Sequence, residues 1–418
     1  MVQETEKEHE DILEQADETD AMFGELYSWY LRNPEYRSRV QKLVQSAFAG
    51  KPKDIISQSV AKALYGEVSP YSATRLERFA ACAFAHFLQY GMKLTERVEY
   101  EFKPMDMGNV MHEALESFAE EVRKRGMKWT ELTEQERNEI ADRCLDNIVA
   151  DYGNTVLKSS ARNEYMIERT RRILRRTVWA LQKQLEQGEF QPEGFEVTFG
   201  GGRIDRVDIM EDQNKVYVKV IDYKTGNTSF DLVYLYHGLQ LQLMIYLDGA
   251  LRVEQKKYPD KEIIPAGVFY YNIKDPMIQE KIDADVEAVS AGLMKELKMN
   301  GLVQADPELV YRMDSSLGSI PVAFNKDGSF RKNSSVADRT QFAVLGRYVR
   351  TKIEKIRSSI LEGDAEVSPY ELGKKNACTY CPYMTVCGFD RRLSGYEFRR
   401  LKNFSDEELW KAFDREAE

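Results

Sequence analysis

Two short segments hold the residue types most able to do chemistry. Gly202-Arg203-Ile204-Asp205-Arg206-Val207-Asp208 and Val220-Ile221-Asp222-Tyr223-Lys224-Thr225-Gly226 lie either side of Glu211-Asp212-Gln213-Asn214. If residues 211–214 form the turn of a hairpin, Met210 pairs with Lys215 and Arg203 lies opposite Asp222. Asp205 is then the diagonal neighbour of Asp222 on the same face, roughly 7–8 Å away between Cα atoms. Period two adds Lys224 to that face, beside Val207, Ile209, Val216, Val218 and Val220. Two acids at the end of an apolar face resist burial unless a cation joins them. Hard oxygen donors suit Mg²⁺ or Mn²⁺, and Lys224 would then sit beside a water or phosphate oxygen on that metal. Asp208 points to the opposite face. The same spacing also suits a hairpin whose aspartates only pair with Arg203, Arg206 or Lys224.

Gly108-Asn109-Val110-Met111-His112 places a histidine one helical turn after a glycine. Gly108 permits close backbone approach, and His112 offers a nitrogen to the same metal. A lone helical histidine is also common as a satisfied core residue. His9, His86 and His237 have no supporting context. In Gly238-Leu239-Gln240-Leu241-Gln242-Leu243-Met244-Ile245-Tyr246, Gln242 and Tyr246 share one helix face, where polar tips suit a phosphate or a metal-bound water. An ordinary amphipathic helix would show the same pattern.

Cys378-x-x-Cys381 followed by five residues and Cys387 reads as a metal site, because clustered thiols seldom serve packing alone. A fourth thiolate is Cys82 or Cys144. Cys144 falls among Ile140, Ala141, Leu145 and Ile148, where a small buried hydrophobe fits, which leaves Cys82. Spacing does not separate zinc from an iron–sulfur cluster. Closing so long a loop is worth on the order of 5 kcal/mol. Two basic runs, Arg169, Arg171, Arg172, Arg175, Arg176 and Arg347, Arg350, Lys352, Lys355, Arg357, either line a nucleic-acid path or are solvated helix surface.

The elements that must position these residues are legible in the hydrophobic period. Residues 1–68 are expected as a polar helical segment with aromatic anchors around Phe23–Tyr30, and a short helix carries Leu76, Phe79, Ala80 and Phe84 beside Cys82. A strand is expected at Arg97–Phe102, then helices near 107–126, 133–152 and 161–187. Strands follow at Phe195–Phe199, Gly202–Met210 and Lys215–Tyr223, a helix at 231–250, a strand at Pro265–Ile273, and helices near 284–299 and 337–361. No phosphate-binding GxxxxGK[ST] loop is present, so this chain alone is no ATP motor. The 418 residues carry a net charge of −10, part of it in the acidic run Glu4–Asp20 and part in an acidic tail, 405–418. That balance argues against overall positive charge as the means of holding nucleic acid, not against local patches. No apolar stretch approaches the roughly 20 residues of a membrane span, and five cysteines, an odd count, suit a reducing, cytoplasmic setting.

Taken in order, Cys82, Gly108-x-x-x-His112, Gly202-x-x-Asp205, Asp222-x-Lys224, Gln242-x-x-x-Tyr246 and Cys378-x-x-Cys381-x5-Cys387 resemble the RecB-like branch of the PD-(D/E)XK nucleases. Within it they are most similar to the C-terminal nuclease region of the AddB family of helicase–nuclease subunits. The resemblance covers about residues 69–404. It implies an α/β fold, a PD-(D/E)XK (restriction-endonuclease-like) core with a small mixed central sheet flanked by helices. A helical N-terminal region (1–68) would precede it and a C-terminal cluster-binding segment would close it. It further implies a 4Fe-4S cluster on Cys82, Cys378, Cys381 and Cys387, Mg²⁺ on His112, Asp205 and Asp222, catalysis by Lys224, and support from Gln242 and Tyr246. The implied activity is exonucleolytic cleavage of single-stranded DNA ends in double-strand-break repair and recombination, with an AddA-type subunit as partner. The competing expectation is a non-catalytic iron–sulfur or zinc scaffold that binds DNA. Ala83 stands where that family usually has Pro. AddB subunits are much longer, so the resemblance implies an excised domain or a standalone relative.

Overall fold

The computed structural model describes residues 20–47, 55–66, 72–95, 104–151, 160–200, 202–279, 285–393 and 395–417. The strand expected at Arg97–Phe102 and nearly all of the Glu4–Asp20 run lie outside them. The chain divides into two compact units, Met1–Asp54 with Phe389–Glu397, and Ile55–Gly388 with Phe398–Glu418. In the first, helices α1 (20–32) and α2 (Pro34–Ala47) meet at Asn33, whose Oδ1 accepts the Glu35 N–H at 3.1 Å. Tyr30 packs edge-on to both Trp29 and Tyr36 across that joint.

The second unit is built on a six-stranded mixed sheet in sequence order: β1 (Gln191–Phe199), β2 (Gly202–Asp212), β3 (Lys215–Lys224), β4 (Glu262–Asn272), β5 (Asn300–Gln304) and β6 (Val336–Ala337). The β1–β2, β2–β3 and β4–β5 pairs are antiparallel, and β3–β4 and β5–β6 are parallel. A parallel pair needs a crossover, and α8 (Gln242–Lys257) supplies it between β3 and β4.

Each sheet face is closed by helices because β2, β3 and β4 are apolar on both sides. One face, with Met210, Tyr217, Tyr223, Phe269 and Tyr271, packs on α5 (Pro104–Lys124), α6 (Glu134–Asp151) and α7 (Ala161–Glu186). The other, with Val207, Ile209, Val216, Val218 and Val220, packs on α3 (Gln58–Tyr65), α4 (Ala73–Ala81), α8 and α11 (Arg339–Glu362). Shorter helices α9 (Val286–Glu296) and α10 (Pro307–Met313) flank β5. A three-stranded ribbon of β7 (Tyr370–Leu372), β8 (Lys375–Asn376) and β9 (Arg399–Arg400) carries the cysteine segment. No helix among the described residues is long and apolar enough to cross a membrane.

Four expectations need correction. The β2–β3 turn is the two residues Gln213-Asn214, with Gln213 at φ +31°, so Asp212 pairs with Lys215 and Met210 with Tyr217. A slip of two residues preserves the face of every side chain, which is why the apolar face is the expected one. The β2–β3 ladder stops at the Arg206–Ile221 pair, and beyond it the Asp205 carboxylate takes the Tyr223 N–H; continued one step, the register sets Asp205 level with Asp222 and not diagonal to it. The helix expected over 231–250 breaks after a short turn, Leu232–Tyr236, at Gly238 (φ +78°) and restarts at Gln242. The acidic run at 406–418, expected as a solvated helix face or tail, is not wholly solvated: it is largely the amphipathic helix α12 (Asp406–Ala417), whose Leu409, Ala412 and Phe413 are buried. Strands β5 and β6 have no counterpart among the expected elements, since five and two residues carry too little alternation.

Candidate metal centre

Where β1, β2 and β3 approach one end of the sheet, their acids converge. Asp205 is nearly buried and accepts the Tyr223 N–H at 2.7 Å through Oδ2, a carboxylate taking a place in the ladder. His112 comes from α5, held by Val110, Met111, Leu115 and Phe118 against the sheet. Its Nδ1 lies 3.3 Å from Asp205 Oδ2 and 3.9 Å from Glu196 Oε1. A Cβ on Gly108 would lie 3.4 Å from Thr225 Oγ1, an ordinary van der Waals contact, so the approach of α5 to the Lys224 strand does not demand glycine there. Glu196 on β1 was not anticipated. It sits at φ +50° just past a register shift at Gly194 and forms an ion pair with Arg203. Such backbone costs about 1–3 kcal/mol and marks a constrained position. Among the described residues, His112, Glu196 and Asp205 bring their donor atoms within 4.8 Å of one another.

The electrostatics are those of a site short of positive charge. Burial first, then the Asp205 charge, push the Asp222 carboxyl up to about 7, although Lys224 opposes both. Burial and Asp205 likewise push Glu196 up to about 7 against Arg203. Burial alone would lower His112, but the Asp205 hydrogen bond and the charges of Asp205, Asp222 and Glu196 outweigh it and raise its pKa. Asp222 is 1% exposed, and its Oδ2, though 2.6 Å from Lys224 Nζ, has no aligned hydrogen-bond donor. Oxygen donors with one nitrogen, and a buried carboxylate oxygen whose one cationic neighbour is out of hydrogen-bond alignment, fit a hard divalent cation.

Lys224 is aimed from the other side. Its Nζ donates to Gln242 Oε1 at 2.8 Å, and Gln242 Nε2 donates to Tyr246 Oη at 2.8 Å. Thus Gln242 and Tyr246 are one turn apart on α8, as the spacing implies; Gln242 reaches the lysine and Tyr246 holds Gln242. Behind them Glu77 of α4, also unanticipated, lies beneath the restart of α8, and burial pushes its carboxyl up to about 7. A single acid among Leu76, Phe79 and Ala80 was the available signal.

The opposite face shows what ion pairing alone looks like. Asp208 is fully buried and takes Arg206 Nε and Nη2 together with Lys219 Nζ at 2.9 Å. Burial would raise its pKa, but the two cations outweigh that and hold it below the usual carboxylate range. Asp208→Asn, leaving two cations buried without their anion, is expected to cost about 3–5 kcal/mol. Thermal melts would show that loss, while any Mg²⁺-induced stabilisation from the other face persists.

The thiols gather elsewhere in the unit. Cys82 ends α4 in extended backbone, and Ala83 opens the next helical turn, the position that tolerates Pro. The chain there follows the path a Pro would take. Burial raises the Cys82 pKa, although the amides of Ala85, Ser368 and Phe84 favour its thiolate. Asn376 Oδ1 accepts the N–H groups of Cys378 and Thr379, and the Cys381 N–H closes onto Cys378 O. Burial first, then the charges of Cys82, Cys381 and Cys387, push Cys378 up to about 12. Cys82 and Cys378 are thus harder to ionise than free thiols unless a cationic centre joins them. Cys144 lies apart, buried with Ile140, Leu145 and Ile148.

On α7, Tyr165, Arg169, Arg172, Arg176 and Trp179 form one stripe along a groove of about 750 Å³ opposite α9. Arg171 and Arg175 are committed to Asp146 and Asp142, and Arg172 to Asp275. Arg169 and Arg176 have no acidic partner among the described residues. The second basic run is spent on structure: Arg350 pairs with Asp248, Lys355 with Glu416, and Lys352 lies over Tyr236 and Tyr348.

A mixed sheet that presents Asp205 and Asp222-x-Lys224 at one end, met by a helical His112, is the arrangement of a PD-(D/E)XK nuclease. The PD-(D/E)XK nuclease superfamily matches residues 70–388, and the chain belongs to it. The chain is also 41% identical, over 95% of its length, to the AddB component of the ATP-dependent helicase/deoxyribonuclease of Lachnoclostridium phytofermentans. Proteins of the same name from Thermoanaerobacter sp. and Clostridium acetobutylicum are 34% and 33% identical, each over 96% of this chain. The chain spans 36% to 37% of the length of these three relatives.

Proposed function

We propose that this chain is a metal-dependent deoxyribonuclease domain that degrades single-stranded DNA ends exonucleolytically in double-strand-break repair. In this reading it is the nuclease part of an AddB-type subunit that works with an AddA-type helicase–nuclease partner. The observation that carries the proposal is the buried Asp222 oxygen without an aligned donor, in a site where Asp205, Glu196 and His112 already converge. His112, Asp205 and Asp222 would hold Mg²⁺ or Mn²⁺, with Glu196 beside them. A cation bound there polarises a phosphodiester and lowers the pKa of an attacking water. Lys224, steered by Gln242 and Tyr246, orients that water or donates to the phosphate oxygen as charge develops. Cys82, Cys378, Cys381 and Cys387 would hold a 4Fe-4S cluster as a structural clamp.

The Lys224–Asp222 pair, at 2.6 Å, favours one alternative, a cluster-bound DNA-binding scaffold without turnover. End-labelled single-stranded DNA with Mg²⁺ separates the two. Lys224→Ala is expected to cut cleavage about 10²- to 10⁴-fold while leaving DNA affinity close to wild type. Unchanged cleavage in purified Lys224→Ala sinks the catalytic assignment.

The α7 stripe fits the approach of the strand, arginines toward phosphates and Tyr165 and Trp179 toward bases. Replacing Arg169 and Arg176 by Ala is expected to weaken single-stranded DNA binding and to flatten its salt dependence by about 1.4 units of slope, at roughly 0.7 per lost phosphate contact. Turnover at saturating DNA should hold. Titrations at several salt concentrations measure both.

A further inference from the structure

Helix α8 begins without a cap of its own. Its first residue, Gln242, follows Leu241, which has no side-chain oxygen to offer the free amides, and the preceding Gly238-Leu239-Gln240 has no Ser, Thr, Asp or Asn. The acceptor comes from another helix. Glu77 Oε1 takes the Leu241 N–H at 2.7 Å and the Gln242 N–H at 2.9 Å. The two amides and the positive end of the helix dipole favour a carboxylate at that position, against the burial that pushes its pKa up to about 7.

What starts at that end is the Gln242 side chain, whose Oε1 takes Lys224 Nζ at 2.8 Å while its Nε2 donates to Tyr246. Residue 242 cannot move without moving the partner that aims the lysine. Nor can Glu77 move freely, because α4 ends at Cys82, about 7.5 Å further along at 1.5 Å per residue. Ser72 caps the other end of α4, and Leu76, Phe79 and Ala80 pin its face in the core. One short rigid helix therefore joins the thiols to the lysine through a single carboxylate.

We propose that Glu77 is a positioning residue for phosphodiester cleavage: it caps α8 from α4, and so seats Gln242 and Lys224 relative to the cysteine cluster. This role rests on the nuclease reading above. Glu77 acts through Gln242 and touches no substrate, so its effect belongs in kcat and not in DNA affinity. An error of about 1 Å in such a seat costs up to about 100-fold.

The test compares wild type with Glu77→Ala, Glu77→Gln, Gln242→Ala and the Glu77→Ala/Gln242→Ala double variant in Mg²⁺-dependent cleavage of labelled single-stranded DNA. Iron per chain and melting temperature are measured on each preparation. Glu77→Ala is expected to lower kcat about 10- to 100-fold, with KM for DNA and iron content within about twofold of wild type. Glu77→Gln keeps an oxygen in place for the two amides and should return kcat to within about threefold. The double variant should be no slower than the slower single one, because both residues act on the same lysine.

Four results each overturn the role. They are a Glu77→Ala enzyme with wild-type kcat, a Glu77→Gln enzyme as slow as Glu77→Ala, strictly multiplicative losses in the double variant, and loss of iron in step with activity. A wild-type chain that does not cleave DNA overturns the nuclease reading itself, which keeps the two failures apart.

Discussion

Asp222→Asn is expected to abolish DNA cleavage and, at the same time, to make the metal-free protein more stable. The carboxylate is 1% exposed, across from Asp205, with one oxygen that nothing aligned satisfies. Burial and Asp205 together push its pKa up to about 7 even with Lys224 beside it. The folded state therefore holds a proton that the unfolded state releases near its ordinary value of 3.8. Between those two values stability falls as pH rises, and above about 7 the cost is fully present. An uncharged amide removes the cost, so the advantage of Asn over Asp should be absent near pH 4 and complete by pH 8. Metal reverses the order. Mg²⁺ in the millimolar range should raise the melting temperature of wild type by mass action and leave Asp222→Asn unmoved. A variant that still cleaves, or still gains stability from Mg²⁺, would show that Asp222 is no ligand. The opposite-face Asp208 is the internal control, because there the same class of substitution should destabilise.

The contrast between those two aspartates was partly legible in the chain. Period two puts Asp205, Asp222 and Lys224 on one face and Asp208 on the other, and that parity survives the two-residue error in the turn. What parity does not give is distance, and the register that brings Asp205 level with Asp222 depends on Gln213 adopting positive φ, which its residue type does not advertise. Glu196 was hidden for a related reason: the irregularity at Gly194 precedes an unusual backbone at residue 196, and neither is written in an alternation of apolar residues. Glu77 needed the break at Gly238, since an unbroken helix over 231–250 would leave no free amides for it to cap. Long, strongly periodic elements such as α5, α6 and α7 came within a few residues of their expected ends. Apart from β5 and β6, too short to show a period, the parts that failed were those in which a single residue's backbone or a distant side chain decides the geometry.

Cys378→Ser should show what the thiols contribute, and its effect is expected to be larger on folding than any surface change. The ribbon that carries Cys378 has strands of only three, two and two residues, too small to stand alone. Its attachment to the body includes Tyr383, buried with Cys82, Ala85 and Leu88, and the Arg399 side chain on Ala80 O. A cluster joining Cys82 to Cys387 closes a loop of about three hundred residues, worth roughly 5–6 kcal/mol in the chain-entropy account. Spread over an unfolding entropy of about 2.1 cal/mol/K per residue, that is a fall of about 6–7 °C in melting temperature. Wild type purified without oxygen should absorb broadly near ~400 nm with about four irons per chain, and Cys378→Ser should lose both. Proteolysis should then enter near residues 370–388. Cleavage of DNA should fall too, because α4 loses its anchor at Cys82 and Glu77 with it. A colourless wild type with one zinc would keep the clamp and discard the iron, since a tetrahedral zinc also satisfies four thiolates. A Cys378→Ser chain that keeps its iron and its melting temperature would remove Cys378 from the site altogether.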